Sequence, residues 1–95
     1  MKFRTTKKFQ QDFNALEAKD REAAENARST IELALTSNQE MYRKHRIKAM
    51  KGHNGIWEGH VKENLCFTFH YERTSSGEKI VFFRRIGTHA IYTKP

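Results

Sequence analysis

The hydrophobic pattern changes period along the chain. Residues 2–5, KFRT, read as a short opening strand. Thr6 then stands where a helix N-cap belongs, and Phe9, Phe13 and Leu16 follow at i, i+4 and i+7, one stripe of a helix. Asp20 is placed to cap a second helix whose apolar side carries Ala23, Ala24, Ala27, Ile31 and Leu35. Small residues on that side predict a close helical hairpin. Thr36-Ser37-Asn38 stops the helix, the stretch RKHRIKAMK forms a short helix or turn, and Gly52-His53-Asn54-Gly55 reads as a turn. From there the period is two. Ile56 to Val61 reads as a strand, and Leu65, Phe67, Phe69 and Tyr71 alternate with Cys66, Thr68, His70 and Glu72 in a second. Thr74-Ser75-Ser76-Gly77 makes a hairpin loop, and Lys79 to Ile86 returns as a third strand, apolar on both sides for part of its length. Helices followed by an antiparallel meander predict an α+β fold, a helical hairpin packed on one sheet face.

Length and composition narrow this further. A chain of 95 residues, 37% hydrophobic and 12% aromatic, has room for one domain and one core. Cys66 is the only cysteine, which excludes an internal disulfide and a cysteine metal cage and suits a reducing compartment. No apolar stretch follows the basic Met1-Lys2-Phe3-Arg4, as a signal peptide would require. The longest unbroken apolar run, Ile80 to Phe83, is far too short to cross a bilayer. The expectation is a cytoplasmic protein with no membrane partner.

Net charge is +7, which favours a polyanionic partner. Its distribution says more than its sum. Residues 12–32 hold six acids and three bases, whereas residues 43–51 hold five bases and no acid. Arg84 and Arg85 form a second basic cluster. Segregation of this kind predicts a basic face, and a sheet face rimmed by cations suits single-stranded RNA, because phosphates need charge and bases need flat surfaces. A solvated basic loop is the bland alternative.

Five histidines are candidates for chemistry: His45, His53, His60, His70 and His89. No pair has the i, i+4 spacing of a helical zinc site and no carboxylates cluster with them, so neither metal nor cofactor is expected. His53 and His70 read as structural or solvent-exposed, and His45 sits among cations that meet phosphate. In WEGHV, alternation puts Ile56, Glu58 and His60 on one side and Trp57, Gly59 and Val61 on the other. With the tryptophan side against the helices, His60 points to the open face. His89 follows an arginine-bearing strand at a glycine turn, from which the tail can fold over that face. Spacing alone leaves a catalytic pair and two unrelated histidines both open.

KKFQQDF near the start, AMKG before the meander, WEGHV, and RIGTH followed by an aromatic together resemble the RelE/ParE toxin superfamily. The ending is most similar to the YafQ-like mRNA interferases. The match covers nearly the whole chain in order and treats residues 1–95 as one toxin domain. The resemblance implies a RelE-like, microbial-RNase-like fold of two helices on a twisted antiparallel sheet of about four strands. It also implies an open face that cleaves mRNA in the 30S A site of the ribosome, and neutralisation by a cognate antitoxin. His89 matches the family's C-terminal catalytic histidine, His60 the sheet position that holds histidine in YafQ-like members, and Arg85 the arginine before the GTH turn. Three positions depart from the YafQ-like pattern. Asn64-Leu65 replaces Asp-Trp, Lys48 stands in place of a further histidine, and Tyr92 comes one residue before the usual terminal aromatic.

The implied chemistry is metal-independent RNA cleavage. One imidazole takes the proton of a ribose 2′-OH that attacks the adjacent phosphate, and a second donor protonates the 5′-oxygen as it leaves. Arg85, with Lys48 or Lys51, would stabilise the phosphorane. RNA contacts are expected from Lys44, His45, Arg46, Lys48, Lys51, Asn64, Arg84 and Tyr92. The rivals are a gyrase-directed toxin of the ParE branch and a non-enzymatic RNA-binding module. The paired histidines favour the nuclease.

Overall fold

Thr6 begins the first helix as its side chain allows, in a computed structural model that describes residues 1–95. Its Oγ1 accepts from the Phe9 N–H at 3.1 Å, and the same hydroxyl donates to the Arg84 carbonyl at 2.9 Å. One residue therefore caps the helix and pins it to the sheet. Strand β1 (Lys2–Thr5) leads into α1 (Lys7–Ala15), and the extended pair Leu16-Glu17 turns the chain into α2 (Ala18–Thr36). The second helix starts before Asp20, which lies in its first turn instead of capping it. There its carboxylate complements the helix dipole and pairs with Lys62 Nζ at 2.6 Å, tying α2 to the sheet. A short α3 (Gln39–Lys44) and the two-residue β2 (Lys48–Ala49) precede the meander of β3 (Trp57–Lys62), β4 (Leu65–Arg73) and β5 (Lys79–Gly87). A 3₁₀ turn, η1 (His89–Thr93), follows.

The five strands lie in the order β1-β5-β4-β3-β2. Neighbours are antiparallel except β1, which runs parallel to β5 with Lys2 opposite Ile80 and Thr5 opposite Phe83. The sheet is therefore mixed and five-stranded where about four antiparallel strands were expected. The opening strand lends β5 a second hydrogen-bonded edge, and the 48–49 pair extends the far side.

Both helices cover the same sheet face, where Phe67, Phe69, Val81 and Ile86 pack with Ile31, Ala34 and Leu35 of α2. Alternation explains Gly59 of β3. A Cβ there would come 2.4 Å from the Phe67 ring, so the strand can cross this aromatic only with glycine. The hairpin is splayed and not tight: α1 packs mainly on β5, and α2 on α3 and β3. A groove of about 590 Å³, floored by Phe67, Phe83 and Ile86, opens between the helices. The bulky Phe9 and Phe13 insert toward the sheet, which keeps α1 off the small residues of α2.

Candidate catalytic site on the open sheet face

Three strands and the tail build the site. His60 on β3 lies opposite Cys66 on β4, and Cys66 lies opposite Gly87 on β5. These residues form one row across the face turned away from the helices, with Glu58, Thr68 and Arg85 in the next row. After Gly87 the chain folds back. Thr88 caps η1 by accepting from the Ala90 N–H at 3.3 Å, and Ile91 is buried. That turn sets the His89 ring 5.6 Å from the His60 ring, centroid to centroid. Tyr92 packs edge-on against His89 at 5.4 Å.

His60 is held by its backbone. Its N–H donates to the His45 carbonyl at 2.7 Å, and its carbonyl accepts from His45 Nδ1 at 2.8 Å. His45 Nε2 lies 2.8 Å from the Thr30 hydroxyl. His45, expected on phosphate, is instead 2% exposed with both ring nitrogens engaged. It is a positioning residue that brackets His60. The reversal that buries it puts Arg46 at φ 51°, in the left-handed region that side chains seldom adopt. Arg46 is thereby exposed beside His60, and a polar recess of about 240 Å³ opens there, lined by His60, Lys44, Arg46, Lys62 and Glu63.

Electrostatics distinguishes His60. Burial, then the Arg46 and His89 side chains, push its pKa below the ordinary histidine value, with Glu58 opposing. Its imidazole is neutral at neutral pH, the form that accepts a proton. Its buried Nδ1 has no hydrogen-bond partner. Beneath the pair, burial pushes the Cys66 thiol up, and the Tyr92 hydroxyl is raised far more strongly for the same reason. The two are close enough to influence each other's ionisation, yet the Tyr92 hydroxyl makes no geometrically adequate hydrogen bond.

The arginines are committed elsewhere. Arg85 Nε and Nη2 donate to the two Asp12 oxygens at 2.6 and 3.2 Å, and Nη1 donates to the Lys94 carbonyl at 2.9 Å. This half-buried guanidinium clamps α1, β5 and the tail together, so it is not free to face a phosphorane as expected. Arg84 occupies the β5 bulge opposite Thr68 and Phe69 and donates to the Pro95 carbonyl at 3.1 Å. Its Nη1 lies 3.0 Å from His70 Nδ1, so it too is engaged within the protein. The Tyr92 hydroxyl, facing Cys66, is buried and so is turned away from solvent. Lys44, Lys48, Lys51 and Asn64 are exposed, and Lys48 reaches Glu58 at 3.9 Å.

Sequence reasoning missed three residues. Asp12 is not one of the apolar stripe residues and carries no local signal of a role, and only its partner 73 positions away reveals one. Lys62 was passed over at the end of its strand. Cys66 was read only for the disulfide and cysteine metal cage that a lone cysteine excludes, although alternation already set it on the histidine side. The expectation that no metal ligand set exists is also corrected: ligand atoms of His60, Cys66 and His89 lie within 4.8 Å of one another. Their spacing in sequence follows no metal motif because sheet register and the tail turn bring them together.

The sequence of the chain is matched by a family model. The model describes the bacterial toxin YafQ of type II toxin–antitoxin systems and covers residues 1–93. The chain belongs to the YafQ toxin family. No curated protein sequence is similar enough to match. Among solved structures, a YoeB/ParE toxin from Agrobacterium tumefaciens superposes with a TM-score of 0.66 at 15% identity, covering 94% of this chain and 99% of that one. YafQ from E. coli gives 0.63 at 19% identity, over 93% and 92%. The same toxin in its DinJ complex gives 0.57 at 15%, again over 93% and 92%. A copper-bound mutant toxin from Helicobacter pylori gives 0.61 at 18%, over 95% and 96%. At these identities the likeness establishes the fold. The YafQ-type meander is thus the scaffold on which this chain's His60 and His89 meet. No helix is long and apolar enough to cross a membrane.

Proposed function

We propose that this YafQ-family toxin is a metal-independent endoribonuclease that cleaves mRNA on the ribosome and so inhibits translation. The observation that carries the reading is the meeting of His60 and His89, 29 residues apart in sequence, with ring centroids 5.6 Å apart beside a cationic recess. Neutral His60 takes the proton of the ribose 2′-OH, whose oxygen attacks the adjacent phosphorus. His89, exposed at the rim, gives a proton to the 5′-oxygen as its bond to phosphorus breaks. The products are a 2′,3′-cyclic phosphate and a 5′-hydroxyl. Each proton transfer contributes roughly 10²–10⁴-fold. Arg46, with Lys44 and Lys48, replaces Arg85 as the source of positive charge for the phosphorane, and Arg85 acts by holding the tail that carries His89. Lys51 and Asn64 extend the RNA contact. The partner that neutralises the toxin is a cognate antitoxin protein, as DinJ is found with YafQ.

The test is cleavage of ribosome-bound mRNA in a purified translation system, with ends mapped by sequencing. His89→Gln keeps size and some hydrogen bonding but cannot shuttle a proton near neutral pH. It should lower the rate by at least ~10²-fold, with folding and antitoxin binding intact. His60→Ala should do the same, and the double variant should lose less than the product of the two. His53→Gln should cleave normally. A normal rate for His89→Gln removes the tail from the chemistry, and gyrase inhibition without RNA cleavage would place the toxin in the other branch.

A further inference from the structure

The row beneath the histidine pair contains a group that the cleavage chemistry does not use. Cys66 is fully buried, lies opposite His60 in the β3–β4 register, and sends its thiol toward the tail turn that carries His89. We propose that His60, Cys66 and His89 form a binding site for a thiophilic d¹⁰ cation, Zn²⁺ or Cu⁺, and that its occupation switches the toxin off. The inhibitory half rests on the ribonuclease reading above; the site itself does not.

Geometry favours a site over chance proximity. Ligands 2.0–2.3 Å from a tetrahedral or trigonal ion sit about 3.4–3.9 Å from one another. The donor atoms here lie within 4.8 Å, so closure requires each to move by only about an ångström, within the reach of side-chain rotation. The donors come from β3, β4 and η1, and two of those are adjacent strands whose register fixes their separation. His60 offers a buried Nδ1 that nothing in the protein satisfies. Two imidazoles and a thiolate are the donors that select zinc and copper over magnesium or calcium, and the open side leaves a fourth position for water or a phosphate oxygen.

Binding must displace the thiol proton to solvent and keep both imidazoles neutral at the liganding nitrogen. Because thiolate ligation releases that proton, affinity should rise with pH. A metal held there takes the lone pair His60 needs as base and removes His89 as proton donor. Cleavage then stops without any change of fold.

The experiment titrates the purified full-length chain, without RNA, with Co²⁺ as a spectroscopic probe, then with Zn²⁺ and, anaerobically, Cu⁺ in competition. One equivalent of cobalt should give a thiolate-to-cobalt charge-transfer band, displaced by zinc or copper with the stronger ion binding first. Loss of a group that merely supports a ligand weakens metal binding by ~10–100-fold, so Cys66→Ser should lose the band and bind at least ~100-fold more weakly. Because Cys66 is in the core, Cys66→Ala serves as a second variant and the melting temperature of each is measured. The wild-type band decides the question even if neither variant folds. Cleavage is then followed at chelator-buffered zinc, each protein scored against its own metal-free rate. Wild-type activity should fall in step with occupancy and return with chelator, while Cys66→Ser should need at least ~100-fold more free zinc. Absence of a thiolate band, or unchanged affinity in Cys66→Ser, overturns the site. A band with cleavage indifferent to bound zinc overturns the switch, and a band without cleavage under any metal condition overturns the ribonuclease reading and leaves the site standing.

Discussion

The two faces of the sheet are made by the same strands, yet they are organised on opposite principles. On the helix face, Phe67, Phe69 and Val81 are buried against apolar neighbours and are held there by packing. On the open face, Glu58, Cys66 and Thr68 are equally out of water, but they are polar or ionisable and lie under a tail instead of a helix. Thr68 satisfies itself by donating to the Pro95 carbonyl at 3.0 Å, whereas His60 Nδ1 and the Tyr92 hydroxyl remain unpartnered. Unsatisfied buried polar groups cost stability. Both unpartnered atoms lie at the histidine pair and neither lies on the helix face, the pattern expected where stability is traded for function.

The largest expected effect breaks the packed face. Phe69 is 0% exposed and packs against Trp57, Phe67, Tyr71 and Phe83. Phe69→Ala should cost about 3–5 kcal/mol by removing buried area and leaving a cavity. Chemical denaturation should show a midpoint drop, and activity should be lost in proportion to the unfolded fraction, not through a changed pH profile.

A smaller effect sharpens the boundary between the faces. His45→Gln removes at least one of two buried hydrogen bonds and should destabilise by about 1–3 kcal/mol. Because His45 holds the His60 backbone and touches no phosphate, cleavage should weaken through kcat while the salt dependence of RNA binding stays the same. A flattened salt slope would return His45 to the RNA surface.

The pH dependence tests His60 directly. Its folded pKa lies below the ordinary histidine value, so the base form is populated throughout the neutral range and the limb of the profile that reports His60 should fall on the acid side, below about 6.5. Since Arg46 is one cause of the depression, Arg46→Gln should move that acid limb toward higher pH. The same shift links to stability. The unfolded chain takes up this proton before the folded one, so stability is full above the unfolded pKa and is lost as pH falls through the folded value. A pH–rate profile of kcat/KM, with parallel melts, reads both.

The smallest effect concerns the rim. Exposed Lys48 and Lys51 each supply screened charge, and replacing both with Gln should flatten the slope of log K against log salt by about 0.7 for each phosphate no longer neutralised. An unchanged slope would return this stretch to a solvated loop.

Much of the framework is local and was therefore legible in the sequence. The Thr6 cap, the Phe9–Phe13 stripe and the alternation of β4 each depend on neighbours within a few residues, where hydrophobic period and hydrogen-bonding chemistry suffice. Alternation likewise put Glu58 and His60 on the open side, opposite Trp57 and Gly59. What the sequence could not decide were pairings between distant residues. The parallel docking of β1 on β5, the Asp12–Arg85 clamp and the burial of His45 against Thr30 and the His60 backbone have no signal in spacing, because each depends on which strand lies beside which. Arg85 illustrates the consequence: its position before the glycine turn was visible, but the carboxylate that occupies it comes from a helix 73 residues earlier. The same holds for the His60–Cys66–His89 cluster, where strand register supplies two donors and the turn after Gly87 supplies the third. Residue types determined what chemistry was possible, and tertiary structure decided which side chains were left free to perform it.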